Sequence, residues 1–356
     1  YIILAATIKI VVFVFLVTLP LVAMSVWAER RVSAAIQDRI GPNRVGPAGL
    51  LQPVADGIKF LLKEDFTPNH VRKTYYWLAP ALTMIPSLLT CAVIPFGSKL
   101  FGEKMVIADL DVGPLFVFAV ASLTVYGIVL AGWASNSKYP FLGSVRSTIQ
   151  MISYEISLGL SIVPLLMIYG ELNLGHIVME QAQNGWALLP LWGDGLSIKG
   201  WLLSIPLFIS FVVFTTSMFA ETNRLPFDLP ECETELVAGY HTEYSSMKFA
   251  LFFLGEYAAM IIGSGLAVTL FFGGWSLPFG WLTPESVDAE VPFWHGLIHL
   301  GAFFAKVSLF ILFFIAVRWT LPRFRYDQLM RLGWVVFFEL ALANVILTAL
   351  LLMWLK

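Results

Sequence analysis

Charged residues are scarce in this sequence. Lysine, arginine, aspartate and glutamate make up 13% of the 356 residues, whereas 58% are hydrophobic. A soluble domain carries about 25% charged residues, so this composition excludes an ordinary soluble protein and indicates a polytopic helical membrane protein. The few charges nearly balance, at a formal net charge of -2, and we therefore expect no nucleic-acid partner.

Cysteine is also rare, with two residues in the chain. Cys91 lies in an apolar segment and Cys232 in an acid-rich loop, and neither belongs to a CxxC pair or a metal-ligand spacing. We therefore expect no disulfide framework, no iron–sulfur site and no other metal site within this chain. The sequence also contains no nucleotide-binding loop and no flavin fingerprint.

Long apolar runs predict eight spanning helices, because a helix needs about 20 apolar residues to cross the hydrocarbon core. We expect an all-α fold in which residues 1–356 form a single integral membrane domain. The predicted helix cores are Ile10–Ala28, Trp77–Phe96, Pro114–Trp133, Met151–Tyr169, Trp201–Ala220, Phe249–Phe272, Leu297–Val317 and Trp334–Leu355. Basic residues concentrate in the loops after the odd-numbered spans, so the positive-inside rule places these loops on the inner side and both termini outside.

The first inner loop predicts an amphipathic surface helix. Apolar side chains recur there at helical spacing, and polar side chains occupy the opposite face. The apolar positions are Leu50, Leu51, Val54, Ile58, Leu61 and Leu62, and the polar positions are Gln52, Asp56, Lys59 and Lys63. Such a helix would lie along the membrane interface or pack under a partner.

Residues 220–246 form an acid-rich loop with the sequence AETNRLPFDLPECETELVAGYHTEYSS. Its six carboxylates are Glu221, Asp228, Glu231, Glu233, Glu235 and Glu243. Carboxylates this close repel one another, so some of them must hold or share protons. Because apolar residues alternate with the acids, we expect a buried or half-buried acid cluster rather than a solvated charge run.

Four charged residues fall inside the predicted spans: Glu155, Glu256, Lys306 and Glu339. Burying an ionised side chain at mid-bilayer costs roughly 2.5–3.5 kcal/mol, so we expect all four to face the interior of the bundle. We interpret Glu155 and Glu256 as functional. Lys306 is interpreted equally well as half of a structural ion pair with an acid. For Glu339 we favour a side chain that reaches the inner headgroups.

Four segments of the chain resemble one family. They are WAERRVSAAIQDRIGPNRVGPAGLLQPVADGIKFLLKED (27–65), GWASNSKYPFLGSVRSTIQMISYEI (132–156), AETNRLPFDLPECETELVAGYHTEYS (220–245) and RWTLPRFRYDQLMRLGW (318–334). The family is that of the quinone-site membrane subunit, or H subunit, of proton-pumping NADH:quinone oxidoreductase (respiratory complex I), which is equivalent to mitochondrial subunit 1. One departure follows Leu-Gly-Trp, where that family leads us to expect a lysine and then a proline, and where this chain has Val335–Glu339.

The resemblance implies a place and a substrate. In that family the subunit joins the membrane arm to the peripheral arm and forms much of a quinone cavity, from which a row of acids leads toward the antiporter-like subunits. The substrate implied is a quinone, either ubiquinone or menaquinone, and the implied role of the acids is proton translocation. FMN and the iron–sulfur clusters would be held by partner subunits. Those partners are peripheral-arm subunits carrying the terminal iron–sulfur cluster and the headgroup site, small membrane subunits and antiporter-like subunits. The implied location of the chain is a bacterial inner membrane or, for an organellar protein, the mitochondrial inner membrane.

The resemblance also implies roles for individual residues. The residues that correspond to the quinone tunnel are Glu29, Arg30, Arg39 and Asp56, with Phe253 as an apolar contact. Those of the buried acidic path are Glu155, Glu221 and Glu256, and those of the acid loop between tunnel and path are Glu231, Glu233, Glu235 and Glu243. The charged network of the cavity corresponds to Arg224, Asp228 and Arg318. Pro226 and Pro230 punctuate the acid loop, and we predict that this loop is a two-state element linking quinone chemistry to pumping.

Two other functions stay open from the sequence. The chain could be the equivalent subunit of a membrane-bound hydrogenase-type complex, which would retain parts of these motifs. It could also be a stand-alone proton or cation transporter, although it shows no inverted repeat with paired Gly- or Pro-broken helices.

Overall fold

The computed structural model of the chain describes residues 2–230, 233–287 and 289–355. The side chains of residues 2–6, 194, 233 and 234 are also outside the description. Of the residues that the sequence assigns to the acid loop, Glu231 and Cys232 therefore lie outside the described residues, and Glu233 is described by its backbone alone.

Helices make up most of the described chain. The α-helices are α1 (Ile2–Val11), α2 (Leu19–Ile36), α3 (Gln52–Leu62), α4 (Lys73–Leu89), α5 (Gly113–Ala121), α6 (Leu123–Ala134), α7 (Lys138–Tyr169), α8 (Leu174–Asn184), α9 (Ile198–Glu221), α10 (Glu233–Leu236), α11 (Ser246–Phe271), α12 (Phe293–Thr320), α13 (Tyr326–Arg331) and α14 (Phe338–Leu355). Short 3-10 turns lie at Pro47–Gly49, Thr90–Val93, Gly193–Leu196, Gly239–His241 and Pro278–Gly280, and π-helical segments at Val12–Thr18 and Leu332–Phe337. Strands β1 (Lys99–Leu100) and β2 (Glu103–Lys104) pair antiparallel as a hairpin.

Eight helical segments of the described residues are long and apolar enough to cross a membrane. They are Thr7–Ile36, Lys73–Val93, Gly113–Ala134, Lys138–Tyr169, Ile198–Glu221, Ser246–Phe271, Phe293–Thr320 and Tyr326–Leu355. They confirm the predicted all-α fold and the eight spans. The observed helices are mostly longer than the predicted cores because a helix continues past its apolar stretch into polar flanks; the fourth span, for example, starts at Lys138 rather than at Met151.

The surface helix predicted in the first inner loop is α3 (Gln52–Leu62). Leu61 and Leu62 are 67% and 82% exposed, so its apolar face is uncovered in the isolated chain. Ser246 fixes the end of the helix, since its Oγ lies 2.9 Å from Phe60 O and 3.0 Å from Lys63 O and can donate its one proton to either. An apolar face anchored at the end of a spanning helix is what a position along the membrane interface requires.

Small residues let the spans approach closely. A Cβ added at Gly132 on α6 would lie 2.0 Å from Ser144 Oγ on α7, and one added at Gly143 would lie 2.8 Å from Gly239 Cα. Neither position can accept a larger residue without moving a helix, which is how small residues permit close packing of membrane helices.

Glu339 does not face the interior of the bundle. It is exposed on the outer surface of the bundle. Phe337 and Ala341 are buried against the core at 8% and 1% exposure. A residue midway between two such positions in a helix points away from them, so the helix face buried by its apolar neighbours directs Glu339 outward.

Lys306 is half-buried, but it is held by carbonyl oxygens rather than by an acid. Its Nζ donates hydrogen bonds to Phe272 O, Gly274 O and Ser276 O at 2.8, 2.9 and 2.6 Å. The ammonium also lies 4.2 Å from the centroid of the Trp186 ring. These contacts neutralise the end of the sixth span, so the ion-pair interpretation of Lys306 is wrong.

Candidate functional site

Glu29 on α2 accepts hydrogen bonds from three other segments of the chain. The Tyr257 hydroxyl donates to Oε2 at 2.7 Å, Arg224 Nη1 donates to the same oxygen at 3.1 Å, and Arg318 Nη1 donates to Oε1. Glu29 is 8% exposed. A carboxylate removed from water to this extent needs such partners, and here two guanidinium groups and a phenol supply them.

Arg224 connects Glu29 to a second buried acid. Its Nε lies 2.6 Å from Glu256 Oε1 on α11, and its guanidinium lies 4.1 Å from the centroid of the Tyr257 ring. Burial alone would lower the pKa of Arg224, but Glu256, Tyr257 and Glu29 together raise it above its ordinary value. This arginine therefore keeps its charge. We call Glu29, Arg224, Glu256, Tyr257 and Arg318 the charged cluster.

A turn after α9 positions Arg224. The Arg224 N–H bonds to Phe219 O at 3.2 Å, and the preceding residue, Asn223, has a φ of 50°. Asparagine tolerates this left-handed conformation better than most residues. Asn223 Nδ2 also donates to Ser147 Oγ on α7 at 3.1 Å, so the turn is fastened to a neighbouring span.

Gln150 on α7 holds the same turn and was missed by sequence reasoning. Its Nε2 lies 2.8 Å from both Ala220 O and Phe227 O, and 3.1 Å from Asn223 Oδ1. The residue is fully buried. A long polar amide beside an apolar span is the one signal in the sequence that could have identified it.

Asp228 extends the charged cluster along the acid loop. Arg323 Nη2 donates to its Oδ2 at 3.1 Å. Burial raises the pKa of Asp228, and the positive charges of Arg323, Arg318 and Arg224 oppose that rise. The sequence-predicted network of Arg224, Asp228 and Arg318 is therefore assembled in one place.

Arg30 and Asp56 join the end of the first span to the surface helix. Arg30 Nη1 lies 2.6 Å from Asp56 Oδ2, and Gln52 Nε2 donates to Asp56 Oδ1 at 3.1 Å. Arg39 is not part of this pair. It is exposed, lies beyond the end of α2, and its Nε donates to Gln37 Oε1 at 2.6 Å.

Phe253 lies one turn from Glu256 on α11 and contacts an aromatic group beside the acid loop. Its ring centroid is 4.7 Å from that of Phe249 and 5.9 Å from that of His241. Burial lowers the pKa of His241 to about 4. The imidazole is therefore neutral at physiological pH, and this part of the site is apolar and aromatic.

The remaining described acids of the loop do not form the expected buried cluster. The Glu235 side chain is 53% exposed, and its Oε2 lies 2.6 Å from Arg146 Nη1. The Glu243 side chain is half-buried, with His70 Nε2 at 3.9 Å from its Oε2. The expectation is wrong for Glu235 because an arginine at the start of the fourth span draws it to the surface.

Glu155 and Glu221 are close neighbours in the bundle. Ser122 Oγ on the third span donates a hydrogen bond to Glu155 Oε1. Glu221 lines a cavity bounded by the second to sixth spans, and its carboxylate feels the charge of Glu155. Two acids of the implied path thus lie within electrostatic reach of each other.

Two further residues were missed as site candidates. Tyr257 follows Glu256 directly and bridges Glu29 and Arg224. Lys248 is buried, pairs with Asp65 at 3.0 Å and lies 3.7 Å from the centroid of the Trp77 ring. Neither has a spacing signal, because each acquires its partners from distant segments.

Comparison with known proteins gives consistent matches over nearly the whole chain. The model of the NADH dehydrogenase family matches residues 8–349. An NADH-quinone oxidoreductase H subunit of Geobacter metallireducens is 51% identical over 347 residues, covering 96% of this chain and 95% of that protein. The corresponding protein of Rickettsia typhi is 50% identical, covering 94% and 90%, and one of Cytophaga hutchinsonii is 45% identical, covering 95% and 94%. The chain belongs to the family of NADH-quinone oxidoreductase H subunits.

Membership in the H-subunit family confirms the resemblance seen in the four sequence segments. Together with the eight apolar spans, it makes the chain a multi-pass membrane subunit of an oxidoreductase complex. An H subunit contributes to an enzyme as one of several subunits, without containing a complete active site alone.

Proposed function

We propose that this chain lines part of the quinone chamber of an NADH-quinone oxidoreductase and passes protons from it through buried acids. The observation that carries the proposal is the charged cluster. Two carboxylates, two guanidinium groups and a phenol meet there beside the acid loop. Such a concentration of buried charge is costly to fold, and sites of this kind are functional far more often than structural in membrane proteins.

The chemistry of quinone reduction suits these residues. A quinone that gains two electrons takes up two protons, and negative charge builds on its oxygens before the protons arrive. Fixed guanidinium groups stabilise such charge, and nearby carboxylates can supply or relay the protons. The aromatic surface around Phe253 and Phe249 suits an apolar ring or an isoprenoid tail.

The Arg30–Asp56 pair marks a second part of the proposed chamber. It lies where the first span meets the surface helix α3, whose apolar face is exposed. A quinone tail arriving from the bilayer would meet apolar side chains first and charged ones behind them. We therefore assign Arg30 and Asp56 to the tunnel entrance, and Arg39, whose side chain stays in solvent, to the contact with a partner subunit.

Glu256, Glu221 and Glu155 form the proposed path away from the chamber. Glu256 belongs to the charged cluster, Glu221 ends the fifth span three residues before Arg224, and Glu155 acts electrostatically on Glu221. Acids coupled in this way change protonation together, because each charge alters the next. The acid loop, with Glu231, Glu233, Glu235 and Glu243, would connect the two regions.

The proposal implies partners and a location. Peripheral-arm subunits would hold FMN, the terminal iron–sulfur cluster and the quinone headgroup, and small membrane subunits and antiporter-like subunits would receive the protons. The location would be a bacterial inner membrane. Gentle solubilisation of native membranes, separation of intact complexes and mass spectrometry test this: co-migrating flavin and iron–sulfur NADH-oxidising subunits support the proposal, whereas a hydrogenase or an isolated chain contradicts it.

Substitution of the acids tests the proton path. Glu221→Gln and Glu235→Gln should lower pumping-coupled quinone reduction while the complex still assembles. Glu171→Gln, an exposed acid just beyond the end of the fourth span, is the matched control and should behave as wild type. Normal proton pumping in the Glu221→Gln complex would contradict the proposed path.

A further inference from the structure

Ser122 lies between α5 and α6 in the middle of the third span and contacts Glu155. Its Oγ is 2.8 Å from Phe118 O and is also hydrogen bonded to Glu155 Oε1. The two acceptors lie on different spans, since Phe118 belongs to α5 and Glu155 to α7. One hydroxyl therefore lies within hydrogen-bond distance of both a backbone carbonyl and a side-chain carboxyl.

A serine hydroxyl has a single proton to donate and two lone pairs with which to accept. An ionised Glu155 can only accept, so Ser122 must then donate to it. A protonated Glu155 can donate its own proton to Ser122 Oγ, and the serine proton then turns to Phe118 O. Both protonation states of Glu155 are satisfied with the heavy atoms in the same places.

The Ser122–Glu155 pair lies beside residues that line the same cavity as Glu221. Met151 and Leu158, on the same face of α7 as Glu155, line this cavity, and so do Phe118 and Ala121 beside Ser122. The third and fourth spans therefore place the pair next to the space that Glu221 reaches from the fifth span.

Hydroxyl groups make this cavity suitable for water. Ser87, Thr90 and Thr124 line it, and each donates its proton to a carbonyl of its own span, at 2.9, 2.7 and 2.7 Å. Each oxygen thus keeps lone pairs that can accept from a water molecule. A cavity with several polar partners and room for water is the setting in which ordered water occurs.

We propose that Ser122 is a positioning residue that holds Glu155 in both protonation states while a proton passes between Glu221 and Glu155 through water in this cavity. The inference rests on the proposed function, which assigns both glutamates to the proton path. The step breaks the O–H bond of Glu221 and forms one on Glu155, with one proton relayed by water and no electron transferred. Glu221 is left ionised, and the reversal of the Ser122 hydrogen bond accompanies the arrival of the proton.

The test uses the assembled complex in proteoliposomes, with protons pumped per quinone reduced and the pH profile of turnover as readouts. Ser122→Ala should lower pumping-coupled turnover about tenfold, the factor for loss of one hydrogen bond to a charged group, and should alter the pH profile. Ser122→Thr keeps the hydroxyl and should restore both. Thr216→Val removes a hydroxyl that is exposed and bonded only to its own helix, and it should leave both readouts unchanged.

A double-variant comparison separates this inference from the proposed function. If Ser122 acts through Glu155, Ser122→Ala should add no further loss in a Glu155→Gln background. An unaltered Glu155→Gln complex would overturn the proposed function itself. The role of Ser122 would be overturned if Glu155→Gln lowered pumping-coupled turnover while Ser122→Ala behaved as wild type. Additive losses of turnover in the double variant would overturn it as well. Should Ser122→Ala fail to assemble, Ser122→Cys, a weaker donor of similar size, should give an intermediate loss, and wild-type behaviour there would overturn the role as well.

Discussion

Arg224 and Glu256 form a buried ion pair with an Nε–Oε1 distance of 2.6 Å, and their side chains are 7% and 13% exposed. The same guanidinium donates to Glu29. Removing one partner from a buried ion pair leaves an uncompensated charge, which costs far more than the pair itself contributes. The members of the charged cluster therefore depend on one another.

Arg224→Met should lower the free energy of unfolding by about 3–5 kcal/mol, because it leaves Glu29 and Glu256 with less positive charge in a buried setting. The amount of assembled complex on native gels and its thermal stability measure this. Arg224→Lys should lose less stability while still impairing function, because an ammonium cannot reproduce the planar contacts of a guanidinium. Unchanged stability of the Arg224→Met complex would argue against a cluster held by charge pairing.

Gln150→Leu should loosen the start of the acid loop. The change leaves the buried carbonyl oxygen of Phe227 without its partner, at a cost of about 1–3 kcal/mol. It also removes the amide donor from Ala220 O, which keeps the backbone N–H of Asn223 at 3.3 Å. Limited proteolysis should then cut within residues 222–230 faster than in wild type. Gln181→Leu is the matched control, since Gln181 is an equally buried amide that bonds Thr269 O and Leu270 O far from the acid loop. Equal cleavage of the two variants would show that Gln150 does not restrain this loop specifically.

The sequence predicts the spans well because hydropathy is a local property. The eight spans and the surface helix α3 depend on runs of neighbouring residues, and all of them are found. The contacts of the site depend on residues far apart in the chain. Glu29 and Arg318 are 289 positions apart, and the resemblance to a family indicated their roles without indicating that they touch.

The errors have the same origin. Glu235 was expected to be buried or half-buried because it stands among apolar residues, but a distant arginine holds it at the surface. For Lys306 only acids were considered as partners, whereas three backbone carbonyl oxygens at the end of another span accept its hydrogen bonds. The sequence indicates that a buried charge needs a partner, but the identity of that partner depends on which distant segments pack together in the fold.

Asp56→Asn should raise the KM for quinone with little change in stability. The Arg30 side chain is 48% exposed and that of Asp56 is 17% exposed, and such pairs contribute about 0–1 kcal/mol to folding. Thermal stability and steady-state kinetics with a short-chain quinone measure the two effects. The Arg30→Gln and Asp56→Asn changes should not be additive in KM, because they remove the same pair. Arg39→Gln is the comparison, and a larger rise in KM for that variant would place the tunnel entrance elsewhere.

His241 should make the complex sensitive to acid. Its folded pKa is about 4, below the ordinary value near 6.5, so the unfolded chain binds a proton that the folded chain resists. The stability is complete above about pH 6.5 and is lost as the pH falls toward 4, by about 3 kcal/mol in all. Thermal inactivation of the solubilised complex between pH 4.5 and 7.5 measures this loss.

His241→Phe should flatten that pH dependence, because the imidazole packs against the rings of Tyr240, Phe249 and Phe253 and a phenyl ring suits the same surroundings without a protonation equilibrium. His70→Gln is the control, since the His70 side chain is 49% exposed. The acid loop would then lose stability with falling pH in the wild type and in the His70 variant, but not in His241→Phe. An unchanged pH dependence in His241→Phe would assign the acid sensitivity to the buried carboxylates instead, whose protonation would break their pairing with Arg224 and Arg323.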